Sequence, residues 1–184
     1  MCYKGLMMNP SSALVLDAYV NTDFAGLWNV EDPTDPISIK SCTGCIITLG
    51  GTPGTWSSKL QTKIATSTMH AEHIALSTGM HEWILVKNTL EHTCEVFKIT
   101  RDSKAQLISV WEDNEGALKL ANSTLVKVTQ ESKHFAIKYH WFYEKLTDLK
   151  LSIQYVRSAA QKADIFTKEL CPADFLSKQK LIMG

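Results

Sequence analysis

The chain has 184 residues, 45% apolar and 21% charged, with nineteen basic and nineteen acidic side chains. That is enough chain for one domain with a real core, and the balance is that of an ordinary soluble globular protein. The five cysteines are odd in number and irregularly spaced, a poor disulfide framework. No apolar run reaches the roughly 18–20 residues of a membrane span. The zero net charge leaves any nucleic-acid partner to be argued from local residues.

The start, Met1-Cys2-Tyr3-Lys4, lacks the charged-then-apolar layout of a signal peptide, so an intracellular setting, cytoplasmic or nuclear and not secreted, is expected. Residues 1–12 read as a lead-in, with a turn at Asn9-Pro10-Ser11-Ser12. Leu14 to Phe24 reads as a first strand, and Leu27 to Lys40 as a loop with Pro33 and Pro36 among acidic residues. Gly44 to Leu49 is apolar and β-branched. Gly50 to Gly54 breaks it and Thr55-Trp56-Ser57 resumes, a hairpin signature.

A long helix follows, from about Ser67 to Thr93, with Met69, Leu76, Met80 and Trp83 at helical spacing. Glu72 lies on that apolar stripe, and an inward carboxylate needs a reason, because burying it unpaired is costly. Leu107 to Trp111 is a short strand ending at Glu112-Asp113-Asn114, and Glu115 to Asn122 a short helix. His134 to Leu149 is another helix, Leu151 to Val156 a last strand and Gln161 to Lys168 a closing helix. Pro172 opens a tail, 171–184, whose pattern allows a helix. Three antiparallel strands followed by βα units predict an α/β domain over 13–170: a five-stranded mixed sheet with helices on both faces.

Acidic or near-acidic residues stand at chosen places on these elements: Asn21 and Asp23 on the first strand, Glu72 on the long helix, Asp113 at a strand end and Asp164 on the closing helix. Strand ends and adjoining helices can gather such residues at one edge of a sheet. Mg²⁺ takes oxygen ligands, and two ions roughly 3.5–4 Å apart can clamp the attacking and leaving oxygens of a phosphodiester displacement. From spacing alone the signal is weak, since scattered acids usually form solvated faces.

The local words are more specific. Tyr19-Val20-Asn21-Thr22-Asp23-Phe24-Ala25-Gly26 resembles Y-V-D-x-D-[WF]-A-G. Lys40-Ser41-Cys42-Thr43-Gly44-Cys45 resembles K-S-R-T-G-Y. Trp56-Ser57-Ser58-Lys59-Leu60-Gln61-Thr62 resembles W-x-S-K-x-Q-T. Ser67-Thr68-Met69-His70-Ala71-Glu72-His73 resembles S-T-x-E-A-E-Y, and Glu112-Asp113-Asn114-Glu115-Gly116-Ala117 resembles E-D-N-x-G-A. Lys133 to His140 resembles K-H-I-x-I-K-Y-H, and Ala163 to Lys168 resembles A-D-I-F-T-K. In this order, from about residue 3 to 181, the words resemble the ribonuclease H domain of Ty1/copia-type retrotransposon polyproteins.

The resemblance implies a ribonuclease H-like fold and hydrolysis of the RNA strand of RNA–DNA hybrids, with two Mg²⁺ ions or Mn²⁺ in their place. It maps the family's acids onto Asn21, Glu72, Asp113 and Asp164, with Glu72, Asp113 and Asp164 as metal ligands and His134 as an assisting group. Asp23, two residues beyond Asn21, is a further ligand candidate through a bulge or a bridging water. Lys127, Lys133 and Lys138 are candidates for phosphate contacts, and the lead-in looks like the junction after a reverse transcriptase domain. The partners implied are hybrid and that domain, with no membrane.

Four positions depart from the family words: Asn21 for the first aspartate, His70 for glutamate, and His73 and Cys45 for tyrosines. A neutral amide cannot offset metal charge, so impaired catalysis is expected. The alternative is a non-catalytic nucleic-acid-binding or interaction module on the same fold. His70 cannot complete a capping box with Ser67. His70 and His73 lack H-E-x-x-H spacing and are expected at the surface. Cys42 and Cys45 point to opposite strand faces and are not expected to share a zinc ion. Glu112, by the same alternation, is expected to point away from Asp113 and the site. Trp56, Trp111 and Trp141 are expected in the core.

Overall fold

A computed structural model describes residues 5, 6, 8, 14–28, 30, 32, 34–101, 108–121, 133–149 and 151–183. Five strands form one sheet: β1 (Leu16–Thr22), β2 (Cys42–Leu49), β3 (Thr52–Leu60), β4 (Ile108–Glu112) and β5 (Leu151–Tyr155). Their order is β3-β2-β1-β4-β5. β1 pairs antiparallel with β2, and β2 with β3, whereas β4 runs parallel to both β1 and β5. The helices are α1 (Thr68–Val96), α2 (Glu115–Ala121), α3 (Lys133–Asp148) and α4 (Pro172–Met183). The expected mixed sheet with three antiparallel strands first is the observed one.

The hairpin is tighter than the sequence predicts. Gly50 and Gly51 have φ of 57° and 85°, the two left-handed positions that match a two-residue turn to the twist of its strands. Pro53 and Gly54 lie inside β3 instead of in the turn. β3 is an edge strand and the ladder is irregular at Ile47/Thr48, so a residue without an N–H is tolerated there. The expected closing helix over 161–168 is a short 3₁₀ turn, Lys162–Phe166, preceded by another at Ser158–Ala160.

Alternation on β1 divides the two faces. Leu16, Ala18 and Val20 pack with Cys45, Ile47, Val110 and Phe142 against Ala75, Leu76, Met80 and Trp83 of α1. Tyr19 and Asn21 turn the other way, toward the 3₁₀ turn at 162–166: Lys162 stands 4.9 Å over the Tyr19 ring, and Asn21 bonds Asp164. Opposite Asn21 in the ladder is Gly44. A Cβ there would stand 2.6 Å from Thr167, 2.7 Å from the Ala163 carbonyl and 2.9 Å from Phe166. Only glycine lets this turn approach β2 so closely.

Five side chains sit in environments that differ from expectation. Trp56 is 56% exposed on the edge strand, at the mouth of a pocket it lines with Phe175, Gln179 and Met183 of α4. Trp111 is half-buried, stacked on Tyr19 and bonded through Nε1 to Asp17, and Trp141 is half-buried against His81. His73 is buried, its ring edge-on to Phe142, so the tyrosine of the family word is replaced by another ring packed in the interior. His70 is half-buried, and its Nδ1 accepts from the Thr66 backbone N–H at 3.3 Å while Ser67 caps the His70 N–H. The histidine thus does reach back over the helix start, one residue before the position a glutamate would serve.

Candidate metal centre at the ends of the central strands

β1 and β4 are the central parallel pair, and their carboxyl ends reach the same edge of the sheet. Two buried glutamines fasten the surrounding elements there. Gln61 donates from Nε2 to the Ala71 carbonyl at 2.9 Å and to Thr43 Oγ1 at 3.0 Å, tying the first turn of α1 to β2. Gln161 donates to the Val20 carbonyl at 2.9 Å and has a longer contact to that of Trp111 at 3.4 Å, setting the 3₁₀ turn across both central strands. Gln61 is the glutamine of the word W-x-S-K-x-Q-T, and Gln161 opens the expected closing helix; neither position alone announces this bracing role.

Gln61 thereby places Glu72, which is 3% exposed, against the end of β4. Carboxylate oxygens of Glu72, Glu112 and Asp113 lie within 4.8 Å of one another. Glu112 is fully buried and its Oε1 accepts from the Asn114 N–H at 3.0 Å. Glu72 Oε2 and Glu112 Oε2 have no hydrogen-bond partner among the described residues. Burial, then the repulsion of Glu112, Asp113 and Asp164, pushes the Glu72 carboxyl far above its ordinary range, with Lys168 opposing. Burial is also the first cause of the upward shift of Glu112.

Strand alternation predicts that Glu112 points away from Asp113, and the structure instead places it in the carboxylate group. Alternation predicts opposite directions for Glu112 and Asp113 only while both remain in the strand, and β4 ends at Glu112. Glu112 shares its face with Val110, which is in the α1-facing core, and that relation was legible.

The second half of the site is built differently. Asn21 Nδ2 donates to Asp164 Oδ1 at 2.5 Å and approaches Thr167 Oγ1 at 3.4 Å. Lys168 Nζ stands 3.2 Å from Asp164 Oδ1, and Lys178 Nζ of α4 stands 2.8 Å from Oδ2. The structure therefore joins Glu72 to Asp113 and Asn21 to Asp164, with Asp164 near enough to bear on the charge of Glu72.

Asp23 is not in the carboxylate group. β1 ends at Thr22, and the Asp23 carboxylate accepts the backbone N–H of Cys42, anchoring the loop after β1. It lines a groove of about 510 Å³ with Cys42, Ser58, Phe166 and Lys168. Of the two C-x-x-C thiols, Cys42 meets Ser58 Oγ and the Phe166 carbonyl, and Cys45 is buried in the core. The backbones of Lys133, His134 and Lys138 lie in α3, but their side chains, like all of Lys127, lie outside the described residues.

The strand order, the parallel central pair and the helices define a ribonuclease H-like fold. LC11-RNase H1, isolated from compost by a metagenomic approach, superposes with a TM-score of 0.57 at 15% identity, over 84% of this chain and 93% of that one. RNase H1 of Halobacterium salinarum does so with a TM-score of 0.50 at 13% identity, over 83% and 93%. The N-terminal RNase H domain of a Mycobacterium tuberculosis protein gives 0.50 at 10% identity, over 91% and 97%.

In sequence, the chain is homologous over most of its length to Ty1/copia retrotransposon Pol polyproteins. It is 29% identical over 154 residues to the retrovirus-related Pol polyprotein from transposon TNT 1-94 of Nicotiana tabacum, covering 84% of this chain. It is 28% identical over 173 residues to that from transposon RE1 of Arabidopsis thaliana, covering 93%. The chain spans about 10% of the length of these relatives. No protein-family model matches it. No helix among the described residues is long and apolar enough to cross a membrane.

Proposed function

We propose that this chain is a ribonuclease H domain that acts on the RNA strand of RNA–DNA hybrids with a divalent cation, weakened by Asn21. The observation that carries the reading is the trio Glu72, Glu112 and Asp113, in which two buried carboxylate oxygens have no partner among the described residues. Desolvating carboxylates without compensation is costly, and a hard divalent cation is the ligand whose chemistry repays it. These residues fit one such ion, Mg²⁺ or Mn²⁺, which when bound would supply Lewis acidity and an activated water.

The chain's own groups supply the rest. Gln61 fixes the first turn of α1 and with it Glu72. Gln161 fixes the turn that carries Asp164, and Asn21 holds Asp164 in place. His134 is proposed to assist the leaving group, and Lys127, Lys133 and Lys138 to meet hybrid phosphates. Contacts of that kind would read A-form shape and 2′-hydroxyls, with little base specificity. The homology to Pol polyproteins supports a place beside a reverse transcriptase, with residues 1–12 as the junction and 13–170 as the catalytic domain. Hybrid made by reverse transcription sets the work in the cytoplasm or nucleus.

A second reading, a nucleic-acid-binding module without turnover, is favoured by the amide at position 21 and by the ion pairing of Asp164. The deciding experiment measures cleavage and binding of a labelled hybrid with Mg²⁺ and with Mn²⁺, for the wild type, Glu72→Gln and Asn21→Asp. Cation-dependent cleavage that Glu72→Gln abolishes supports the hydrolase. Tight binding with no cleavage in any variant supports the module.

A further inference from the structure

The two halves of the site treat their carboxylates in opposite ways. Glu72 Oε2 and Glu112 Oε2 are buried without partners among the described residues, whereas both oxygens of Asp164 are engaged. The engagement at Oδ2 comes from Lys178, which is 6% exposed on the last helix. Lysine is almost never buried unless paired. Here the ammonium has three acceptors for its three protons: Asp164 Oδ2 at 2.8 Å, the Gln161 carbonyl at 3.0 Å and the Ser158 carbonyl. It is a fixed positive charge with no donor left over, and Gln161 in the same cradle is the residue that sets the turn on the central strands. Lys168, by contrast, has a side chain 48% exposed.

We propose that Lys178, delivered by α4, is a built-in cation that takes the place of one of two metal ions. A single divalent cation then binds Glu72, Glu112 and Asp113, and Asp164 is a positioning residue and not a ligand. The inference rests on the proposed cation site and goes beyond it, because it reassigns Asp164 and gives the C-terminal helix a part in the site. A divalent ion at Asp164 would have to displace a satisfied ammonium or sit beside it. Either is unfavourable in a buried setting, where like charges are poorly screened.

Mn²⁺ titration of the full chain, followed by loss of the free-ion electron paramagnetic resonance signal, counts the ions without any turnover. One equivalent is expected. Glu112→Gln should weaken binding at least about tenfold, since a hard ion depends on the number of charged ligands. Asp164→Asn should leave the affinity within about threefold, the effect of a distant charge partly offset by two lysines. Lys178→Met should melt lower and take up a second equivalent at the freed Asp164 oxygen. The double variant Lys178→Met, Asp164→Asn should recover stability and return to one equivalent, the coupling expected of a contacting pair.

Two equivalents in the wild type, a tenfold or greater loss in Asp164→Asn, or a folded Lys178→Met that stays at one equivalent would each overturn the assignment. If Lys178→Met does not fold, Asp164→Asn alone decides. A wild type that binds no Mn²⁺ removes the cation site itself and this inference with it, whereas two equivalents overturn only the role of Lys178.

Discussion

Asn21→Asp restores the acid that the family words place first, and its cost follows from one contact. Asn21 Nδ2 lies 2.5 Å from Asp164 Oδ1, and both residues are buried. In the variant a carboxylate oxygen faces a carboxylate oxygen. With charge centres about 4 Å apart and an effective dielectric near 20, the repulsion is about 4 kcal/mol. The lost bond to a charged acceptor adds about 1.5–3 kcal/mol. Lys178 is already fully used, and half-exposed Lys168 is screened, so the two offset only part of this. A net loss of about 4 kcal/mol without metal is expected, or roughly 10 °C in Tm for a chain of this size. At pH 5 the loss should shrink, because the repelled aspartate can take up a proton and share it with Asp164. Mg²⁺ or Mn²⁺ at pH 8 should recover the Tm and raise hybrid cleavage by at least about tenfold, as a cation bridging the new pair supplies the missing charge. Thermal melts at both pH values with and without cation, and a fluorescent hybrid assay, make the measurements. A variant that melts with the wild type in chelator at pH 8, and gains nothing from either cation, would refute the reasoning.

Other outcomes follow from single contacts. Gly44→Ala forces the 162–166 turn off β2, because its Cβ would stand 2.6 Å from Thr167, and such overpacking should cost about 1–3 kcal/mol by denaturant titration. Glu72 and Glu112 have raised carboxyl pKa values, so the metal-free fold binds more protons than the unfolded chain. The stability they contribute is present below the ordinary glutamate value of about 4.3 and is lost as pH rises through the elevated values. Melting in chelator should therefore fall from pH 5 to 8, Glu112→Gln should flatten that slope, and Mn²⁺ binding at pH 8 should release protons detectable by calorimetry in two buffers. Asp23→Asn loosens the loop that its carboxylate holds at Cys42 and should lower stability by about 1–2 kcal/mol with Mn²⁺ affinity retained. Hybrid affinity should fall steeply as salt rises, and a flat response would remove phosphate contacts from the proposed interface.

The sheet was legible because its signals are local and redundant. The Gly50-Gly51 turn, the apolar run of β2 and the stripe Leu76, Met80, Trp83 each follow from period or turn chemistry. Strand alternation predicts that Glu112 and Asp113 point apart, and it fails because β4 ends at Glu112: the chain leaves the pleat there, and Glu112 joins Glu72 and Asp113. Lys178 was illegible for another reason. Nothing in the word Ser177-Lys178-Gln179-Lys180 distinguishes one lysine from the next, and only the docking of α4 on the 162–166 turn selects it.

Asn21 and Lys178 are best understood together. With an aspartate at 21, the site would hold five carboxylates, and the pair at positions 21 and 164 would repel unless a cation sat between them. With the amide, Asp164 receives a neutral donor at one oxygen and a buried ammonium at the other, so that half of the site is satisfied by protein alone. The other half is not: Glu72, Glu112 and Asp113 crowd within 4.8 Å, and among the described residues Glu72 Oε2 and Glu112 Oε2 have no partner. On the proposed reading a cation is called for at Glu72 and not at Asp164. A hydrolase that must hold the attacking and the leaving oxygen at once is served poorly by one such ion. A slow enzyme, or a binder that retains a structural cation, is what this division of charge supports. Adding Asn21→Asp to Lys178→Met should bring back two-ion binding more fully than either change alone, because each removes a different replacement for the second ion.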